Sequence, residues 1–231
     1  MPNRFQSLVV AILDDDRANV KELLKEGVSQ EDRYESRIAH WIYAGDAAIH
    51  VAAAGYRVEI ARMLLAGGAD SGSARNRRGS QPLHYAADGN LDSPGWNAKR
   101  QVAMIRLLLK AGAVIDAQDK NGATPLHRAV RTRSAAAAGC LLVAGADPTI
   151  RNKPGSTPFH LAAQNTGRGG SGTEKARAAQ HEILQAFLER GVSPTLQDAK
   201  GKSVLAWAKS DWIRHILAGN VPLHRPGIRD G

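Results

Sequence analysis

An all-α solenoid of about five helix-turn-helix units with a short C-terminal cap is the fold this sequence predicts, and three observations point to it. A six-residue phrase recurs as Ala47-Ala48-Ile49-His50-Val51-Ala52, Gln81-Pro82-Leu83-His84-Tyr85-Ala86, Thr124-Pro125-Leu126-His127-Arg128-Ala129 and Thr157-Pro158-Phe159-His160-Leu161-Ala162. Its histidines stand 34 residues apart from His50 to His84 and 33 from His127 to His160, a period at which stacked repeats build a solenoid. Each phrase leads to a Leu-rich helical run and then to a glycine, the residue that most easily ends a helix in left-handed backbone. A hydrophobic content of 43% with only 5% aromatics suits thin helical layers.

In chain order, Gln6 to Glu26 reads as two antiparallel helices joined by Asp14-Asp15-Asp16-Arg17. Val9, Ile12 and Leu13 form one apolar face and Val20, Leu23 and Leu24 the other, at helical spacing. Lys21, Glu22, Lys25 and Glu26 make the outer side polar, as the end of a stack requires. Val9 stands 41 residues before His50, so Val28 to Asp46 is longer than the period demands. That stretch is read as a lengthened connection with Trp41 and Tyr43 packed against the stack.

The outer-helix cores that follow are Ile60, Met63, Leu64 and Leu65, then Ile105, Leu107, Leu108 and Leu109, then Cys140, Leu141, Leu142 and Val143, then Ile183, Leu184, Phe187 and Leu188. Gly68, Gly112, Gly145 and Gly191 end those helices, and polar excursions such as Asp116–Gly122 and Ile150–Gly155 carry turn-forming residues. Two units are stretched, His84 to His127 to 43 residues and His160 to its counterpart Ala206 to 46. Both insertions, 88–100 and 165–175, fall between inner and outer helix and so project from one edge of the stack. Ser203 to Leu217 is a shortened cap closed by Trp207 and Trp212, and 220–231 is a tail. The expected organisation is one domain over 1–219, with units near 5–32, 46–76, 80–119, 123–152 and 156–198 and the cap at 202–219.

Several kinds of chemistry can be set aside. Equivalent residues in neighbouring layers lie about 10 Å apart, too far for His50, His84, His127 and His160 to share a metal bound at about 2 Å per ligand. Gly167-Arg168-Gly169-Gly170-Ser171-Gly172 lacks the lysine and the preceding strand of a phosphate loop and is read as a flexible loop. Asp14-Asp15-Asp16 lacks the spaced Gly and closing Glu of a calcium loop. Cys140, the only cysteine, has no His or Asp adjacent in sequence, so it reads as a buried apolar residue, and a lone cysteine fits a reducing, cytoplasmic setting. No secretory leader is expected, and with no apolar run of about 18 residues no membrane span is expected either. No nucleophile, base and orienter come together, so the expectation is a non-enzymatic monomer without metal or cofactor.

With these pieces placed, the chain resembles the ankyrin-repeat family. Thr124-Pro125-Leu126-His127-Arg128-Ala129 is a full match to its signature, and Gly68-Ala69-Asp70 and Gly145-Ala146-Asp147 match its helix ends. The resemblance covers about residues 6–218, and the stretch His40 to Tyr56 is also similar to bacterial members. Ala47-Ala48, Gln81 and Ala206 depart from the signature. The resemblance implies a curved stack joined by β-hairpin fingers, a concave face of fingers and inner helices that binds another protein, and a histidine that bonds between adjacent turns.

The net charge of +9 is unevenly placed. Residues 1–74 carry 8 Lys and Arg against 11 Asp and Glu, a net −3, and residues 75–231 carry 23 against 11, a net +12. Set on the implied fingers, Arg75, Arg77 and Arg78, then Lys120, then Arg151 and Lys153, then Lys200 and Lys202 present positive charge in register, with Arg128, Arg131 and Arg133 on an inner helix. Outer helices are expected to carry fewer, such as Arg62, Arg106 and Lys110. The leading reading is therefore a scaffold that binds an acidic protein or peptide through a basic concave face, with Trp96 on an edge loop as an anchor. The alternative is a nucleic-acid-binding module using the same surface, and plain solvated charge is the third reading.

Overall fold

The computed structural model describes residues 4–33, 45–72, 76–89, 96–164 and 173–219. Among them run twelve helices: α1 (Arg4–Leu13), α2 (Arg17–Lys25), α3 (Ala48–Ala54), α4 (Val58–Ala66), α5 (Pro82–Ala87), α6 (Ala98–Lys110), α7 (Pro125–Arg131), α8 (Ala135–Val143), α9 (Pro158–Ala162), α10 (Glu174–Glu189), α11 (Val204–Trp207) and α12 (Asp211–Ala218). Each odd helix packs on the even helix that follows it, and each helix also packs on its equivalent in the next unit. The result is two layers, inner and outer. Trp41 and Tyr43, Arg75, the centres of both insertions and the tail lie outside the described residues.

Local chemistry sets the helix bounds. α5, α7 and α9 begin on proline, whose missing N–H costs nothing where no intrahelical acceptor exists. Asp16, Asn97 and Thr173 cap α2, α6 and α10 by accepting from the amides of Asn19, Arg100 and Ala176. Gly68, Gly112, Gly145 and Gly191 sit at φ values from 74° to 95° just past the outer helices.

Inner helices α3, α5, α7 and α9 are buried nearly all round, as at Leu83, Ala86, Leu126, Ala129 and Phe159, because small alanines let neighbouring layers approach. Outer helices bury one face each, at Ile60, Ala61 and Leu64, at Met104, Ile105 and Leu108, at Ala137, Ala138, Leu141 and Leu142, and at Ile183, Leu184 and Phe187. Val143, expected in the core, instead lies 70% exposed, and Cys140 is only half-buried. In α8 the buried stripe runs through the alanines on the preceding turn, which turns those two outward. At the C-terminal end Phe159 stacks on Phe187 at 4.7 Å, and Trp207 and Trp212 pack half-buried against the core.

The histidines join the layers. His50, His84, His127 and His160 place Nε2 at 3.0–3.1 Å from the carbonyl oxygens of Ser80, Ala123, Ser156 and Lys202, each in the next unit. In the first three, Nδ1 accepts the amide N–H of Ala47, Gln81 or Thr124. An Nδ1 that accepts must be unprotonated, so those rings carry their proton on Nε2 and donate it across the unit boundary.

The connections differ from full β-hairpins. No strand forms among the described residues, and only Gln197 and Ser203 make an isolated antiparallel bridge. Each finger is a single tight turn, because one Asn or Asp side chain takes up the amides that a longer ladder would use.

Candidate partner-binding face

Four fingers repeat one design. Asn76, Asp119, Asn152 and Asp198 each turn a side-chain oxygen onto the finger they start. Asn76 Oδ1 accepts from the amides of Arg78 and Ser80, Asp119 Oδ1 from Asn121 and Ala123, Asn152 Oδ1 from Ser156, and Asp198 Oδ1 from Lys200 and Lys202, all at 2.8–3.0 Å. Neighbouring fingers are tied by backbone bonds of 2.9 Å from Lys120 N–H to Arg78 O, Lys153 N–H to Asn121 O and Ala199 N–H to Gly155 O. Gly122, at φ 70°, lies so close to the next finger that an added Cβ would stand 2.9 Å from the Lys153 nitrogen. The tips therefore form one connected ridge.

Arg77, Arg78, Lys120, Arg151, Lys153, Lys200 and Lys202 are all exposed on that ridge. The two carboxylates within these finger segments, Asp119 and Asp198, are buried at 8% and 7% exposure. Arg151 also donates to the carbonyl of Gln197 at 2.8 Å, and the Lys202 ammonium stands 6.0 Å from the Trp207 ring.

Below the ridge, an open cleft of about 580 Å³ is bounded by Arg78, Asn121, Ala123, Pro154, Arg131 and Leu161. Arg128 is in its floor, not on its surface. Its guanidinium donates to Asp88 Oδ2 at 2.8 Å, Asp119 Oδ2 at 3.1 Å and Ser80 Oγ at 2.9 Å, and the residue is only 8% exposed. Burial alone would lower the pKa of this guanidinium, but Asp88 and Asp119 hold it above its ordinary value. Burial likewise works to raise Asp119, and the amides of Ala123 and Asn121 together with Arg128 bring its carboxyl below the usual range. Asp88 is pushed up by burial, against the pull of Arg128 and Arg131. Arg128 thus bridges two fingers and a loop, and the open cation of α7 is Arg131, whose side chain is 63% exposed and 3.8 Å from Asp88.

Trp96 is half-buried beside α6 and donates its indole N–H to Gln101 at 3.1 Å. That places it at the insertion edge, and it does not line the cleft. Asp88 is a residue that sequence reasoning missed. It reaches Arg128 across 40 residues that include an insertion, so no periodicity marks it.

Positive charge is not confined to the fingers. α6 carries exposed Lys99, Arg100, Arg106 and Lys110 with no carboxylate, more than was expected of an outer helix. A second concavity of about 380 Å³ at this edge holds Arg17, Arg57, Arg62, Lys99 and Arg100, but carboxylates are interleaved with them. Asp15 lies 3.7 Å from Arg17 and 3.9 Å from Arg57, and Glu59 lies 3.5 Å from Arg62.

Among the described residues no three His, Cys, Asp or Glu side chains gather as a metal site, and no helix is long and apolar enough to cross a membrane. Paired inner and outer helices, histidine staples and a ridge of linked turns define a helical repeat protein. Family models described as ankyrin repeats match residues 8–93 and 108–162, and a single-repeat model matches 78–120. The chain belongs to the ankyrin-repeat family, whose repeats are generally protein–protein interaction modules and typically not enzymes. No curated protein matches it.

Proposed function

We propose that this chain is an interaction scaffold that holds an acidic segment of a partner protein along the finger ridge and the cleft beneath it. One observation carries the reading: seven exposed cations stand on four linked fingers with no exposed carboxylate among them in the described finger segments. A row of one sign along a rigid ridge favours an extended anionic partner and speeds its capture. The cations of α6 and its edge are a weaker candidate, because Asp15 and Glu59 offset those in the concavity. Acidic partner and acidic peptide are the same chemistry here, and the exposed charge sets a strong salt dependence.

The test is binding of a fluorescent oligo-glutamate peptide to the wild type and to a variant with Arg78→Glu, Lys120→Glu, Arg131→Glu and Arg151→Glu together. Binding that weakens at least tenfold in the variant, with an unchanged circular dichroism spectrum, supports the reading. Unchanged affinity contradicts it, and tighter binding of a single-stranded oligonucleotide of equal charge would move the reading to nucleic acid.

A further inference from the structure

Three of the four fingers are bolted to their own inner helix by one side chain, always nine residues after the finger's Asn or Asp. Asn76 Nδ2 donates to the Tyr85 hydroxyl at 2.7 Å, Arg128 Nη2 to Asp119 at 3.1 Å, and Trp207 Nε1 to Asp198 at 2.9 Å. The remaining finger, third in chain order, breaks the rule. The residue nine after Asn152 is Leu161, which offers no polar group, remains half-buried, and lines the cleft together with Pro154 and Ala123.

We propose that this break is a specificity pocket: the cleft selects an acidic segment that carries an apolar side chain among its carboxylates, seated on Leu161 and Pro154. The proposal rests on the acidic-partner reading and adds the partner's second requirement. Arg78 and Arg131 line the same cleft and Lys153 stands on the finger above, so carboxylates flanking the apolar residue are met on either side. A polar side chain set on Leu161 would lose water and gain no hydrogen bond from it, whereas an apolar one removes apolar surface from water on both partners. Asp88 and Asp119, the carboxylates in the cleft, are engaged by Arg128, which limits their repulsion of an anionic guest. In the other fingers the corresponding position is filled by Tyr85, Arg128 or Trp207, each used to hold its turn.

The experiment compares two synthetic heptapeptides of equal charge, three glutamates on each side of a central leucine or a central serine, titrated against the wild type, Leu161→Asn, Leu161→Tyr and Arg131→Glu. The leucine peptide is expected to bind the wild type about fivefold tighter, as partial burial of one aliphatic side chain gives. Leu161→Asn should bring that ratio to about one while leaving the serine peptide's affinity unchanged. Leu161→Tyr, which installs the side chain that Tyr85 supplies two fingers earlier, should do the same, and thermal melts of both variants report that they fold. Equal affinity of the two peptides for the wild type overturns the proposal, as does a ratio that survives both Leu161 substitutions in folded protein. If neither peptide binds the wild type, or if Arg131→Glu leaves the serine peptide's affinity intact, the acidic-partner reading itself fails and takes this proposal with it.

Discussion

His127 Nε2 lies 3.1 Å from the carbonyl oxygen of Ser156, while its Nδ1 accepts the amide of Thr124 at 3.2 Å. One ring thus caps its own helix and holds the next finger, so its loss should be felt in both units. Replacing His127 with Ala leaves a buried carbonyl and a buried amide without partners and opens a cavity. A loss of about 3 kcal/mol in a urea denaturation is expected.

The same rings make stability depend on pH. Burial lowers His84 from 6.5 to about 4, and it lowers His127 and His160 in the same direction. As pH falls through 6.5 the unfolded chain takes up protons that the folded chain refuses until about 4, so folding stability drops across that window. Stability is full above 6.5, and His84 alone accounts for a loss of about 3 kcal/mol by pH 4. Urea midpoints should hold between pH 7.5 and 6.5 and fall from there to pH 4.5, less steeply in His84→Gln.

Arg128 and Arg131 are one helical turn apart and should behave oppositely. Arg128→Met leaves Asp88 and Asp119 without their buried counter-charge and should cost about 3–5 kcal/mol. Arg131→Met removes an exposed pair at 3.8 Å and should change stability by less than about 1 kcal/mol while weakening oligo-glutamate binding. Denaturation and peptide titration on both variants check the contrast.

Two glycines also separate. Gly122 holds φ 70° and meets the Lys153 nitrogen, so Gly122→Ala should destabilise by about 1–2 kcal/mol. Gly139 lies inside α8 with nothing near an added Cβ, so Gly139→Ala should stabilise by about 1 kcal/mol. Thermal melts of the two proteins read both signs.

The repeat made much of this legible before any coordinates. Counting from each histidine located the helices, the glycine ends and the finger tips, because stacking fixes equivalent residues at equivalent places. What counting could not supply came from contacts that do not repeat. Arg128 carries the same charge as its neighbours in sequence, yet Asp88 at the edge of an insertion and Ser80 on the preceding finger draw it inward. The outward turn of Val143 was hidden because α8 is apolar on every side, leaving no polar face to set its register. The hairpins shrank to single turns because Asn76, Asp119, Asn152 and Asp198 satisfy the amides themselves.

In the proposed mode of binding the finger ridge, and not the basic surface of α6, captures an acidic segment. Amide chemical-shift mapping by nuclear magnetic resonance, with isotope-labelled protein and an oligo-glutamate peptide, tests it most directly. Saturable shifts are expected at Arg77, Lys120, Arg131, Lys153 and Lys200 that vanish at high salt, with Lys99 to Lys110 unmoved. Shifts concentrated on α6, or spread evenly over every exposed cation, would contradict it.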